Sequence, residues 1–382
     1  MSRLEELIQE LCPNGVEYKK LEDVLTIKNG KDYKQFGNGN IPVYGSGGIM
    51  TYIDTAVYAK PSVLIPRKGS LDKLFYVDTP FWNVDTIFYT EIDTTQAVPK
   101  YIFFYLEGQH LERLNKAGGV PSLTQAVLNK VSIPIPPLPV QEEIVRILDN
   151  FTELTAELTA ELTARKKQYE YYRDSILKNA NKYPVTKLGD ICSFVRGPFG
   201  GALKKEIFTS NGFAVYEQQH AIYRNLEFRY YIDKTKFEEL QRFEVQPGDM
   251  IVSCSGTIGK TFIIPQDAPK GIINQALLKL TPHKEVNVFY MQYFFENTIS
   301  KILNGVARGG AIKNVPSVSE LKKIEFPVPP LAEQERIVSI LDRFDTLCND
   351  LASGLPAEIE ARQKQYEYYR DELLTFKEAK GS

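Results

Sequence analysis

The octapeptide Lys167-Gln168-Tyr169-Glu170-Tyr171-Tyr172-Arg173-Asp174 returns without a change as Lys364-Gln365-Tyr366-Glu367-Tyr368-Tyr369-Arg370-Asp371. Eight identical residues so far apart mark an internal duplication. Each copy closes a longer block that opens on a proline signal. The first block runs Pro136-Pro137-Leu138, Gln141-Glu142, Ile144-Val145, Ile147-Leu148-Asp149, Phe151, and the second runs Pro330-Leu331, Glu333-Gln334-Glu335, Ile337-Val338, Ile340-Leu341-Asp342, Phe344. The blocks are helical in period, whereas the segments ahead of them differ from one another. Such a chain must fold as a constant scaffold that carries two variable modules.

Periodicity and turn residues divide the chain into five parts: an amphipathic helix at 1–17, a module at 18–135, a helical block at 136–182, a second module at 183–328 and a second block at 329–382. In module one, Val24–Ile27, Ser62–Pro66, Leu74–Val77 and Thr86–Tyr89 read as strands, and Lys100–Asn115 as a helix with an aromatic face. Module two echoes the plan. Lys187-Leu188-Gly189-Asp190-Ile191 follows Lys20-Leu21-Glu22-Asp23-Val24, Asp249–Ser253 follows Ser62–Pro66, and Phe289–Asn297 follows the aromatic helix.

Each proline signal launches a long helix, about 140–180 and 332–378, since proline fits ahead of a first turn where a missing N–H costs nothing. Their apolar stripes exceed what one module's core needs, so the two helices are expected to pack on each other, antiparallel. The seam would hold Leu154, Leu158, Leu162, Tyr169 and Tyr172 from the first block and Leu347, Leu351, Leu355, Tyr366 and Tyr369 from the second. The first copy carries Thr155-Ala156-Glu157-Leu158 and Thr159-Ala160-Glu161-Leu162 in tandem; adding or deleting one unit changes a helix by ~6 Å. The second copy has Ser353-Gly354-Leu355-Pro356 instead, which predicts a break, because Gly and Pro inside a helix cost roughly 1 and 3 kcal/mol.

Composition bounds the class. With 382 residues, 43% apolar and 25% charged, the chain has the make-up of a globular protein of two domains. It lacks any apolar run near the ~20 residues that span a bilayer, and it does not start like a signal peptide, so a cytoplasmic location without membrane attachment is expected. Cys12, Cys192, Cys254 and Cys348 are isolated and read as free thiols. The net charge of −2 is unevenly spread: residues 18–133 carry +2, residues 183–326 carry +4 and the remainder −8. Positive modules on a negative scaffold suit modules that meet phosphate.

Nothing in the sequence invites an enzyme reading. His110, His220 and His283 stand apart from any ligand cluster and read as packing or surface residues, and no metal site is expected. Gly256-Thr257-Ile258-Gly259-Lys260-Thr261 resembles the end of a phosphate loop, but Cys254 stands where the first glycine is needed and strand follows instead of helix. Gly45-Ser46-Gly47-Gly48 lacks dinucleotide-loop spacing. Pro136-Pro137 follows Ile135, not the Asp or Asn of an adenine-methyltransferase loop.

Two variable modules, each followed by a PPLxxQxxI…ILD…KQYEYYRD helix, with tandem Thr-Ala-Glu-Leu units in the first, resemble the specificity subunit of type I restriction-modification systems over essentially the whole chain. The resemblance implies an α/β (α+β) fold with an internal pseudo-two-fold repeat: two globular target-recognition domains separated by two long antiparallel coiled-coil helices. It implies that each domain reads one half of a split, asymmetric site in double-stranded DNA while the helices set the gap. It also implies a non-catalytic subunit that binds no cofactor. S-adenosylmethionine, ATP and Mg would be used by its partners, namely two methyltransferase subunits, with restriction (nuclease/translocase) subunits as further members. Other classes remain open from the residues alone: a coiled-coil scaffold or adhesin-like interaction protein without DNA affinity, and an enzyme with an unrecognised catalytic domain.

If the modules read DNA, contacts should come from polar and basic residues on glycine-rich loops, where backbone approaches phosphate and side chains reach base edges. In module one these are Ser46, Arg67, Lys68, Ser70, Lys73, Lys116 and Ser122. In module two they are Lys204, Lys205, Gln218, Gln219, Ser255, Lys260, Arg308, Lys313 and Asn314; Gln218 and Gln219 stand out because glutamine can pair bidentately with adenine.

Overall fold

The computed structural model describes residues 3–115, 122–199, 201–306, 316–350 and 353–379. The chain forms two compact units, one of Met1–Glu161 with Leu355–Ser382 and the other of Leu162–Gly354. Neither compact body is therefore one continuous stretch of sequence. The first division falls within the Thr-Ala-Glu-Leu tandem and the second at the Gly354-Leu355 step.

Unit 1 begins with α1 (Arg3–Leu11), β1 (Tyr18–Lys20), the single turn α2 (Leu21–Val24) and β2 (Leu25–Asn29). There follow β3 (Asn38–Gly45), β4 (Gly48–Ile53), β5 (Ser62–Pro66), β6 (Phe75–Val77), β7 (Trp82–Asn83) and β8 (Ile87–Ile92). Then come α3 (Pro99–Gly108), α4 (Gln125–Leu128), β9 (Ser132–Pro134) and the start of the long helix α5 (Leu138–Asn179). One sheet has the order β2-β8-β5-β6, all antiparallel, and another the order β4-β3-β7, with β3 and β7 parallel. β1 pairs with β9 and ties the ends of the module together.

Unit 2 contains the end of α5, then β10 (Val185–Lys187), α6 (Leu188–Ile191), β11 (Cys192–Arg196), β12 (Phe213–Tyr216), α7 (Gln218–Tyr223) and β13 (Tyr231–Ile232). It continues with α8 (Lys234–Glu239), β14 (Met250–Ser253), β15 (Thr261–Ile263), β16 (Gly271–Ile273) and β17 (Leu277–Pro282). α9 (Val288–Val306), α10 (Val318–Leu321), β18 (Glu325–Pro327) and α11 (Leu331–Asn349) complete it, while α12 (Leu355–Leu373) belongs to unit 1. The sheets run β11-β17-β14-β15 and β13-β12-β16, with β12 and β16 parallel and β10 paired to β18. Strand for strand this is the order of unit 1. The duplication thus extends through modules whose sequences echo it only loosely, because a sheet order survives any substitution that keeps the buried face apolar.

The motif glutamine explains how each block is fixed to its module. Gln141 is fully buried; its Oε1 accepts from Val98 N at 2.8 Å, and its Nε2 donates to Gln96 O at 2.9 Å and Pro136 O at 2.7 Å. Gln334 repeats this bond for bond, accepting from Asn287 N at 2.8 Å and donating to Glu285 O at 2.9 Å and Pro329 O at 2.8 Å. The aromatic helix is held in the same way in both units, Tyr101 donating to Pro134 O and Tyr290 to Pro327 O. Buried polar groups persist only when satisfied, and here the satisfaction is built into the repeat.

Several expectations need correction. The aromatic helix of module one stops at Gly108, because His110 takes a left-handed φ of 51° before a 3-10 turn at Leu111–Leu114. Val24 closes a helical turn instead of opening a strand, and Thr86 precedes its strand. The second long helix breaks between Asn349 and Leu355 as the Gly-Pro signal requires; a Cβ on Gly354 would meet Thr346 O at 2.5 Å.

The seam is aromatic at its ends and loose in its leucines. Phe151 stacks on Tyr369 in unit 1, and Phe344 stacks on Tyr169 and Tyr172 in unit 2. Tyr169 and Tyr366 are buried and Leu158, Leu162 and Leu355 half-buried, but Leu154 and Leu347 are exposed; Leu351 lies outside the described residues. A four-residue step advances about 400° around a helix of 3.6 residues per turn, so a leucine every fourth residue drifts ~40° per step and cannot stay on one face.

Candidate nucleic-acid interfaces

In unit 1 the loop after β5 is built around Thr86. Its carbonyl accepts from Arg67 N at 2.9 Å and Lys68 N at 3.2 Å, and its hydroxyl accepts from Ser46 N at 3.3 Å. Lys68 forms an isolated bridge with Ser122, and Leu123 N donates to Arg67 O at 2.9 Å. Gly69, at φ +82°, lets the chain turn past Ser46, after which Leu71 is buried and anchors the loop. Lys73 N then donates to Ser70 O. The fold therefore gathers Ser46, Arg67, Lys68, Ser70, Lys73 and Ser122 at one place; Lys116 lies outside the described residues. Two of the cations have neighbours. The Arg67 guanidinium lies over the Phe88 ring at 5.7 Å, and Lys68 Nζ is 3.8 Å from Asp85. Thr86 is the member the sequence did not single out, because it reads as the first residue of a strand, Thr86–Tyr89, when it lies in the turn before β8.

In unit 2 the corresponding loop, from Cys254 to Lys260, folds over Ser253. The Ser253 hydroxyl donates to Thr257 O at 2.6 Å and accepts from Lys260 N at 3.0 Å. Gly256 and Gly259 adopt positive φ, which the tight return demands. Gln218, at the start of α7, holds this loop: its Nε2 donates to Ser255 O and its Oε1 accepts from the Ser255 hydroxyl at 3.1 Å. Both ends of the amide are thus engaged with Ser255, so Gln218 positions that residue while one N–H and one oxygen lone pair of the amide remain beyond these two bonds. Gln219 Nε2 donates to Glu227 O at 3.1 Å. Lys260 is exposed on the loop, whereas Lys204 and Lys205 are exposed on a different stretch, at the turn Lys205–Ile207. Arg308, Lys313 and Asn314 lie outside the described residues.

A polar network absent from the sequence reading ties the loop to α9. Glu296 accepts from the Thr261 hydroxyl, from Thr261 N at 3.2 Å and from Arg224 at 3.1 Å, and Gln292 Nε2 donates to the Thr261 hydroxyl at 2.8 Å. Arg224 reaches it from a left-handed residue at the end of α7. His220, fully buried, accepts from Glu217 N at 2.8 Å, lies 3.0 Å by Nε2 from Glu227 O and stacks on Phe228; desolvation holds its pKa below the ordinary value. It is a packing residue. All four cysteines are buried and free, and burial pushes Cys254 up to about 11 and Cys192 up to about 12.

Both loops end a strand of the four-stranded sheet, β5 and β14, and both display hydroxyls and cations over glycine turns. The model of the type I restriction modification DNA specificity domain matches twice, at residues 13–165 and 175–361. The chain belongs to this family. A putative type I restriction enzyme specificity subunit of Haemophilus influenzae is 34% identical over 388 residues, covering 94% of this chain and 96% of the relative. The EcoR124I/EcoR124II specificity subunit of Escherichia coli is 34% identical over 306 residues, covering 75% and 73%. The S subunit structure from M. genitalium superposes with a TM-score of 0.57 at 14% identity, covering 94% of this chain and 96% of that one. The HsdS subunit from Thermoanaerobacter tengcongensis does so with 0.51 at 17%, covering 95% and 97%. The specificity-subunit family supplies DNA specificity to restriction-modification and is non-catalytic, the reactions being carried out by partner subunits. Among the described residues no helix is long and apolar enough to cross a membrane.

Proposed function

We propose that each module reads one half of a split, asymmetric DNA site, and that α5 with α11 and α12 sets the number of base pairs between the halves. The constant blocks dock two methyltransferase subunits, which use S-adenosylmethionine; restriction subunits with ATP and Mg complete the assembly in the cytoplasm, and this subunit binds no cofactor itself. The observation that carries the reading is the pairing of identical strand order with unlike loops. Two modules share a scaffold down to the Gln141 and Gln334 clamps, yet present Arg67-Lys68-Gly69-Ser70 in one and Ser255-Gly256-Thr257-Ile258-Gly259-Lys260 in the other. One fold with two chemistries suits two different half-sequences.

The test changes the helix alone. One Thr-Ala-Glu-Leu unit adds ~6 Å to α5, and a base step is ~3.4 Å, so inserting a unit should lengthen the preferred spacer by one or two base pairs. Both half-sequences should stay as they were. Mapping methylated sites of the complete complex reads this directly; an unchanged spacer would defeat the role given to the helices. Arg67→Ala with Lys68→Ala should weaken binding to all sequences and reduce its salt dependence, as loss of phosphate contacts does.

A further inference from the structure

The β3–β4 hairpin of module one departs from the alternation of a half-buried sheet. Val43 pairs with Thr51, but Tyr44 pairs with Ile49, so Met50 is the extra residue of a β-bulge. A bulge re-aims side chains out of alternation. Ile49 and Met50, neighbours in sequence, are accordingly both exposed, at 49% and 57%, and Tyr52 is 50% exposed beside them. β4 is an edge strand, and Ile49-Met50-Thr51-Tyr52 carries no charge. An uncharged apolar edge is a liability that proteins otherwise blunt with lysine or proline, so here something covers it.

The neighbours indicate what. The turn is pinned to the cationic loop: Ser46 N donates to the Thr86 hydroxyl, and the Thr86 carbonyl takes the Arg67 and Lys68 amides. Met50 itself packs over this junction, since a Cβ on Gly45 would lie 2.7 Å from its sulfur and 3.6 Å from Thr86 Oγ1. The apolar tip is thus continuous with the Arg67–Lys73 loop. That loop's acidic residues are Asp72 on it and Asp85 beside it, the latter paired with Lys68. A duplex offers this combination, phosphates for the cations and, in the major groove, one apolar group, the thymine C5 methyl.

We propose that Met50, flanked by Ile49, contacts a thymine methyl in the half-site read by module one. This rests on the DNA-reading role proposed above. The unbranched thioether suits the task because it adapts to a small apolar partner without demanding a fixed rotamer. Tyr52 extends the same face.

The experiment uses the full chain in complex with its methyltransferase partner. Affinity is measured for target duplexes in which each thymine of the first half-site is replaced in turn by uracil, which removes only the methyl. The wild-type complex should lose about four-fold at one position, the worth of roughly one buried methyl. Met50→Ser and Ile49→Ser, both at exposed positions where folding is little affected, should bind thymine and uracil equally there. The half read by module two and the salt dependence should not change. Thymine discrimination that survives in both variants overturns the proposal, as does a first half-site without thymine. Variants that no longer assemble with the methyltransferase would assign the hairpin to that protein and also overturn it. Absence of any sequence preference from module one in the wild-type complex is a different failure, that of the DNA-reading role itself.

Discussion

In unit 1 the second octapeptide sets Tyr366 and Arg370 against Glu107 of α3: the tyrosine hydroxyl donates to the carboxylate, and Arg370 Nη1 lies 3.7 Å from it. In unit 2 the first octapeptide meets α9, whose Glu296 occupies the place of Glu107, six residues beyond the matching tyrosine. There the glutamate is taken by Thr261 and Arg224 of the variable module. The consequences reach the repeat. Each arginine pairs with the aspartate that follows it, Arg370 with Asp371 at 2.8 Å and Arg173 with Asp174 at 3.1 Å, but the Arg370 side chain is 9% exposed and that of Arg173 27%. Burial and Glu107 together push the Tyr366 phenol far up, while burial, with a smaller push from Asp345, takes Tyr169 to about 12. Identical residues thus do unequal work, because a carboxylate serves whichever donors the surrounding fold brings nearest. In unit 2 that choice links the Cys254–Lys260 loop to the helix that packs on the constant block; in unit 1 the Arg67–Lys73 loop is tied to Thr86 instead.

The largest effect should come where the two units agree. Gln141→Leu and Gln334→Leu each strand a buried amide and two carbonyls, and each should cost about 3 kcal/mol. Urea unfolding would read this, and a difference well above ~1 kcal/mol between the two would break the equivalence of the clamps. Next comes the point of divergence. Arg370→Ala removes a buried guanidinium with its packing stem and should cost about 2 kcal/mol, against less than ~1 kcal/mol for Arg173→Ala. Equal costs would mean that the fate of the glutamate does not matter.

The smallest effect is a pH dependence confined to unit 2. His220 has a folded-state pKa held below 6.5, chiefly by desolvation. Unfolding then binds a proton as pH drops, so this contribution to stability is intact above about 6.5 and is lost as pH falls through the lower folded value. Unit 2 should lose urea resistance between pH 7.5 and pH 5, and His220→Gln should flatten that slope. A slope unchanged by the substitution would remove His220 from the explanation.

Much of this was legible in the chain. Ser62–Pro66 is a strand with the bounds its residues suggest, the first block is a helix of 42 residues, and the Gly-Pro signal breaks the second. These are local matters of period and propensity. The loop candidates of module one were legible as a set, because glycine, serine and lysine after a buried strand mark a turn that reaches solvent. Gln218 was legible only as a polar residue. Its engagement with Ser255 joins positions 37 apart in sequence, and no pattern along the chain announces such a pair. The leucine seam was legible only in part for the opposite reason: the pattern was visible, but a four-residue repeat does not keep pace with the helix, so Leu158, Leu162 and Leu355 are half-buried while Leu154 and Leu347 are exposed.

By itself, then, the sequence determined that this is a duplicated protein, where its long helical blocks lie and that the second is broken, and which family it joins, since all three are written in residues close to one another or repeated outright. Tertiary structure decided the rest: that Thr86 organises one candidate loop and Glu296 fastens the other, and that a bulge turns Met50 outward. Those outcomes depend on which distant groups arrive within hydrogen-bonding reach once the sheets have settled their register. A shift of one residue in that register moves every side chain to the other face.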